Sequence, residues 1–166
     1  MMNNGIGSWI HRRVLGSGDK PAVIFEGREL SYRELDTRIH GLANALRHRG
    51  IQQGDRIAYL GDNHPAFLET LFAAGTLGCV FVPINTRLAE PEIRLALADS
   101  GSVAFLFSEA LGTISRKAAA GVGVQLLIEV GGHRSPPDNV VDYDKLVSAA
   151  STSVVDVEVG LCVRRP

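Results

Sequence analysis

Apolar residues change their spacing repeatedly along the chain, and each change marks an element. Ile6, Trp9, Ile10 and Val14 recur at helical spacing and predict a short amphipathic opening helix, stopped by Gly16-Ser17-Gly18-Asp19. Trp9 on that helix is read as a core residue, the competing reading being contact with a membrane surface. Pro21 to Phe25 reads as a strand, Glu26-Gly27 as a turn, and Arg28 to Leu30 as its hairpin partner. Ser31 and Glu34 have the spacing of a capping box, with Leu30 and Leu35 placed as a hydrophobic staple. The helix they start runs along Ile39, Leu42, Ala43 and Leu46 to a left-handed stop at Gly50.

Strands and helices then alternate. Arg56 to Leu60 is a strand; Pro65 to Thr76 is a helix apolar nearly all round, as befits burial between layers; Cys79 to Ile84 is a strand. Pro91 to Asp99 is a helix carrying Ile93, Leu95, Leu97 and Ala98. Val103 to Phe107 is a strand, Glu109 to Ala119 a helix, Val124 to Ile128 a strand and Tyr143 to Ala150 a last helix, after a loop from Gly131 to Asn139. Apolar strands joined by helical crossovers imply an α/β fold with a partial parallel sheet and helices on both faces. Residues 5–150 read as one α/β unit and residues 151–166 as a tail in which Val155, Val157 and Val159 alternate.

Composition narrows the function classes. The chain has 166 residues and a formal net charge of -1, so no electrostatic argument points to nucleic acid. The apolar stretch Ala66 to Ile84 is broken by Glu69, Gly75, Gly78 and Pro83, so no transmembrane segment is expected. The cysteines, Cys79 and Cys162, form no CxxC pair and read as free thiols in a reducing cytoplasmic setting.

Candidate chemistry is sparse. The turns Gly16-Ser17-Gly18-Asp19-Lys20-Pro21 and Gly121-Val122-Gly123 lack the spacing of a phosphate loop. His11, His40, His48, His64 and His133 show no HxxxH or HExxH spacing. His40 and His48, two turns apart on one helix, read as residues of a solvated face rather than metal ligands. Asp55 and Asp62 flank a strand and read as turn residues.

Four segments nevertheless resemble, in order and spacing, motifs of the adenylate-forming (AMP-binding) enzymes. Leu30 to Leu35, LSYREL, is similar to that family's L-[ST]-Y-x-E-L. Gly50 to Asn63 reads GIQQGDRIAYLGDN, Leu71 to Leu88 reads LFAAGTLGCVFVPINTRL, and Glu90 to Gly101 reads EPEIRLALADSG. Asn85 after Pro83 resembles the acyl- and aryl-CoA ligases more than the peptide-synthetase domains. The resemblance implies the first part of the large N-terminal domain of an acyl-CoA synthetase or fatty-acid–CoA ligase. Such enzymes use ATP and Mg²⁺ to activate a carboxylic or fatty acid as its adenylate, then transfer the acyl group to coenzyme A.

It also implies one site residue, Arg87, whose loop lies near the coenzyme A entrance in related ligases; a phosphate contact there stands beside the plainer reading of a surface arginine. No catalytic residue or metal ligand is carried over. The family's Ser/Thr/Gly-rich loop is expected soon after Val159, where the text reads Cys162-Val163-Arg164-Arg165-Pro166. The expectation is therefore a truncated synthetase, inactive alone, to which no cofactor binds well. The alternatives are a half-enzyme paired with a complementary fragment, or a non-catalytic interaction domain that associates with itself or with a full-length relative.

Overall fold

The computed structural model describes residues 5–132, 136–155 and 157. A 3-10 turn, Ile6–Ser8, leads into α1 (Trp9–Ser17). β1 (Pro21–Phe25) and β2 (Arg28–Ser31) form an antiparallel hairpin whose two-residue loop has Glu26 at φ 50° and Gly27 at φ 75°. Positive φ at both positions is the geometry that matches the right-handed twist of the flanking strands.

α2 (Tyr32–His48) starts at the expected capping box. The Glu34 backbone N–H donates to Ser31 Oγ at 3.2 Å, and the Ser31 N–H donates to Glu34 Oε2 at 2.8 Å. Leu30 and Leu35 are both buried, and Gly50 takes φ 87° just past the helix end. The bonds from Ser31 also hold the Glu34 carboxyl below its ordinary pKa.

A parallel sheet follows: β3 (Arg56–Leu60), β4 (Val80–Ile84), β5 (Ala104–Ser108), β6 (Leu126–Val130) and β7 (Val141–Asp142), in the order β4-β3-β5-β6-β7. Successive strand side chains point to opposite faces, so the sheet separates two cores. Ile57, Tyr59, Ala104, Leu106, Ile128 and Val130 face α2, α3 (Pro65–Leu77) and α6 (Tyr143–Ala149). Ala58, Leu60, Phe105 and Phe107 face α4 (Glu90–Ser100) and α5 (Gly112–Ala119). The sheet is α/β and covered on both faces, as its apolar strands implied.

α3 has no exposed residue, because α2 and the N-terminal turn pack against it. The turn comes so close that a Cβ on Gly7 would sit 2.3 Å from the Thr76 nitrogen.

Several expectations need correction. Trp9 is 57% exposed and does not enter the core; α1 buries none of its residues. Leu95 of α4 also faces solvent. The sixth strand starts at Leu126 rather than Val124, because Gln125 and Leu126 both donate to the Val103 carbonyl and set the register there. β7 is only two residues long, too short to show a period, and is placed by pairing with Ile128 and Glu129.

The segment after α6 lies on α2: Asn44 Nδ2 donates to the carbonyls of Ser151 and Ser153 at 2.8 and 2.9 Å, and Val155 is buried in the first core. Val159 and Cys162 lie outside the described residues.

Candidate functional site

The chain leaves β3 to build β4 on one side and returns to build β5 on the other. The reversal makes the carboxyl ends of β3 and β5 a topological switch point, the position where ligands bind in open α/β sheets. Ser108 ends β5, and its buried Oγ has no hydrogen-bond partner among the described residues. Next along this rim is Glu129 on β6, with Arg116 Nη1 3.4 Å from its carboxylate. Burial raises the Glu129 pKa, with Arg116 opposing.

Arg87 stands on the same rim, in the loop from β4 to α4. The Asn85 side-chain oxygen accepts the Arg87 backbone N–H at 2.9 Å, a local turn that fixes this loop. Arg87 itself is exposed, with no ion pair among the described residues. The Pro-x-Asn wording thus has a structural role, and its arginine points no charge into the protein. Asp55 has the turn role read for it, accepting the Gln52 N–H at 2.8 Å.

A polar network that spacing did not reveal joins α2, α3 and α6. Glu69 is fully buried, bound by Arg38 Nε at 2.7 Å and by the Tyr143 hydroxyl. A second nitrogen of Arg38 reaches Asp144 at 3.2 Å, and the guanidinium lies 5.9 Å from the centroid of the Tyr143 ring. Burial works against the Arg38 charge, but the Glu69 hydrogen bond and field outweigh it and raise its pKa. Burial, then the Glu69 charge, pushes the Tyr143 phenol well above its ordinary pKa and Tyr59 up to about 12. A cavity of about 170 Å³ opens beside this network between Phe25, Leu30, His64 and Pro65. His64 Nδ1 accepts the Ala66 N–H at 3.1 Å as the cap of α3, and burial lowers its pKa. This network ties three helices together rather than presenting free groups to a ligand.

A second cluster corrects the reading of His40. That residue is 4% exposed, not on a solvated face, whereas His48 is exposed. His11 Nδ1 lies 3.0 Å from one Asp36 oxygen, and His40 Nε2 lies 3.6 Å from the other. Burial lowers the His40 pKa, Asp36 opposes and His11 adds to the lowering. Cys79 is a free thiol, as read; its Sγ is 3.2 Å from the Gln52 carbonyl, and burial pushes its pKa up to about 11.

The described residues do not fit a nucleotide phosphate. A helix start holds phosphate through bare backbone N–H groups. Here α2 is closed by Ser31, α3 by His64 and α6 by Asp142, which accepts the Lys145 N–H. At α4 the Glu92 carboxylate binds the Ala89 N–H at 2.8 Å, while α1 and α5 continue from 3-10 turns.

The family described as AMP-binding enzyme matches residues 10–157. The chain belongs to the AMP-binding enzyme family. The resemblance to the adenylate-forming enzymes read from its motifs is therefore established. It is 45% identical to a feruloyl-CoA synthase from an Amycolatopsis species over 158 residues, which are 92% of this chain and 32% of the relative. It is 36% identical to the indoleacetate–CoA ligase of Aromatoleum aromaticum, across 93% of the chain and 30% of that enzyme. A benzoate CoA ligase from Burkholderia xenovorans superposes with a TM-score of 0.83 at 25% identity, over 94% of this chain and 30% of its own. The chain thus spans about a third of the length of the curated relatives it matches. As in other members of the AMP-binding family, a five-stranded parallel sheet flanked by helices forms this region. No helix among the described residues is long and apolar enough to cross a membrane.

Proposed function

We propose that the chain is the N-terminal part of a cytoplasmic CoA ligase whose substrate is an aromatic carboxylic acid of the ferulate type. ATP and Mg²⁺ activate the carboxylate as its adenylate with loss of pyrophosphate, and coenzyme A then displaces AMP to form the thioester. The 45% identity with feruloyl-CoA synthases across 92% of the chain carries this reading. It favours an aryl substrate over a fatty acid, although a fatty acid–acyl-carrier-protein ligase from Streptomyces coeruleorubidus is also 33% identical over 83% of the chain.

Within that reaction the described residues are scaffold. They supply the covered sheet and the rim, while α2, α3 and α6 start at side-chain caps rather than at a phosphate cradle. The isolated chain accordingly performs no ATP–pyrophosphate exchange. Arg87, exposed on the rim, meets a coenzyme A phosphate.

The test is a chimera in which residues 10–157 replace the matching third of a feruloyl-CoA synthase. The expected result is feruloyl-CoA formation, with ferulate preferred to a medium-chain fatty acid. Arg87→Ala in that chimera raises the KM for coenzyme A and leaves that for ferulate unchanged. A folded chimera that forms no feruloyl-CoA overturns the assignment of this scaffold to a feruloyl-type ligase, and exchange by the 166-residue chain alone overturns its inactivity.

A second reading, a subunit that pairs with a complementary fragment, draws on the outer strand β4, whose Val80 is 51% exposed. Restored thioester formation on mixing the chain with the remainder of a feruloyl-CoA synthase distinguishes this case.

A further inference from the structure

Among the described residues, one cluster brings metal-ligating side chains together from separate helices: His11 of α1 with Asp36 and His40 of α2. One ligand atom from each lies within 4.8 Å of the others. Asp36 and His40 are one helical turn apart and share a face. α1 crosses that face and brings His11 onto the same carboxylate at 3.0 Å. The side chains are 42%, 14% and 6% exposed for His11, Asp36 and His40, so the cluster opens to solvent on the His11 side only.

His40 Nε2 is buried and unpartnered among the described groups, and it is aimed at Asp36 from 3.6 Å, too far for a hydrogen bond. An orphaned imidazole nitrogen facing a carboxylate and a second imidazole is the donor set that Zn²⁺ takes, at about 2.0–2.2 Å from each ligand. Tetrahedral ligand atoms then stand roughly 3.3–3.6 Å apart. Here His11 Nδ1 lies 3.0 Å from one Asp36 oxygen and His40 Nε2 3.6 Å from the other. One ligand atom from each residue falls within 4.8 Å of the rest, close enough to draw in around an ion.

We propose that His11, Asp36 and His40 form a zinc-type divalent metal site, completed by water, that staples α1 to α2. α1 gains most from such a staple because it buries no residue of its own. Its other ties are packing contacts along α2: the His11 ring meets the His40 ring edge-on at 5.8 Å, the Arg13 guanidinium lies 5.6 Å from the Tyr32 ring centroid, and Ile10 is partly buried against the core.

Loading has a structural consequence. The Val155 N–H donates to His40 Nδ1 at 3.4 Å, which puts the imidazole proton on Nε2 in the metal-free chain. Coordination through Nε2 moves that proton to Nδ1, where it opposes the Val155 N–H. The metal therefore holds α1 and frees the Val155 amide, while Asn44 still holds the carbonyls of Ser151 and Ser153.

The test uses the untagged 166-residue chain, stripped of metal and titrated with Co²⁺ and then Zn²⁺. The expected result is one equivalent of Co²⁺ with the absorption bands of a tetrahedral site, displaced by Zn²⁺. His11→Gln, at a half-exposed position, keeps the fold and weakens binding at least tenfold. His48→Gln, on the exposed part of α2, leaves it unchanged. Hydrogen exchange at Val155 quickens on Zn²⁺ addition. Absence of a stoichiometric band, or equal affinity in His11→Gln, overturns the site and leaves a hydrogen-bonded His–Asp–His cluster. Tight binding with unchanged Val155 exchange overturns ligation through His40 Nε2.

Discussion

Replacing Arg38 with methionine tests the buried network most directly. The substitution keeps an aliphatic stem of similar length but removes the cation bound to Glu69 at 2.7 Å. Glu69 is fully buried, so its carboxylate would keep only the Tyr143 hydroxyl. Breaking a buried ion pair from one side costs about 3–5 kcal/mol, because the remaining charge stays in a poor solvent. The contact with Asp144, whose side chain is 66% exposed, adds at most about 1 kcal/mol. A domain holds only about 5–15 kcal/mol in all. With a urea slope of about 2 kcal/mol/M, a 3 kcal/mol loss lowers the unfolding midpoint by roughly 1.5 M. The triple variant Arg38→Met, Glu69→Met, Tyr143→Phe removes every buried polar member at once. It should return to within about 1 kcal/mol of the parent, since well-packed apolar replacements of buried ion pairs are often neutral. Urea unfolding followed by far-UV circular dichroism measures both. A single variant within about 1 kcal/mol of the parent refutes the claim that Glu69 depends on Arg38, as does a triple variant no better than the single.

Smaller perturbations follow from the same structure. Ser31→Ala removes the acceptor for the Glu34 N–H and should cost about 1 kcal/mol in the same unfolding assay. Glu26→Asn should stabilise by roughly 0.5 kcal/mol, because Glu26 sits at φ 50° in a turn that favours asparagine there; a loss of stability would rule out strain at that residue. Gly7→Ala should destabilise and loosen the N-terminal turn from α3, seen as faster hydrogen exchange at Ile6–Ser8, since the new Cβ would meet the Thr76 backbone at 2.3 Å. Acidification through the ordinary histidine pKa of about 6.5 should destabilise the fold. Burial lowers the folded-state pKa of His40 and His64, so below that pH the unfolded chain binds more protons and stability falls as pH falls. The midpoint measured between about pH 7 and 5 tests this, and His64→Gln should flatten part of the slope.

Signals confined to a few neighbouring residues were legible, and those made by chain crossing were not. The capping box at Ser31 and Glu34, the stop at Gly50 and the strand from Arg56 to Leu60 depend on local spacing, and the structure places them where the spacing did. Trp9 failed because amphipathic spacing says which residues share a face, not how far that face is covered: Ile10 packs against the core, while Trp9 at the edge of the face stays 57% exposed. His40 failed for the converse reason. Two histidines eight residues apart on one helix share no obligation to share an environment, because the chain from Ser151 to Val155 covers the turn of α2 bearing His40 and leaves His48 bare. The Asp36–His40 pair was visible as an i, i+4 spacing that suits either an ion pair or two ligands. What decides between them is His11, 25 residues before Asp36 and brought there by the packing of α1 on α2. Glu69 shows the same dependence: in the sequence it only interrupts an apolar run, and it becomes intelligible once Arg38 and Tyr143, 31 residues before it and 74 after, close on its carboxylate. A polar residue inside an apolar helix therefore demands a partner, but only the fold says which one, since any group brought within hydrogen-bonding reach would meet the same electrostatic need.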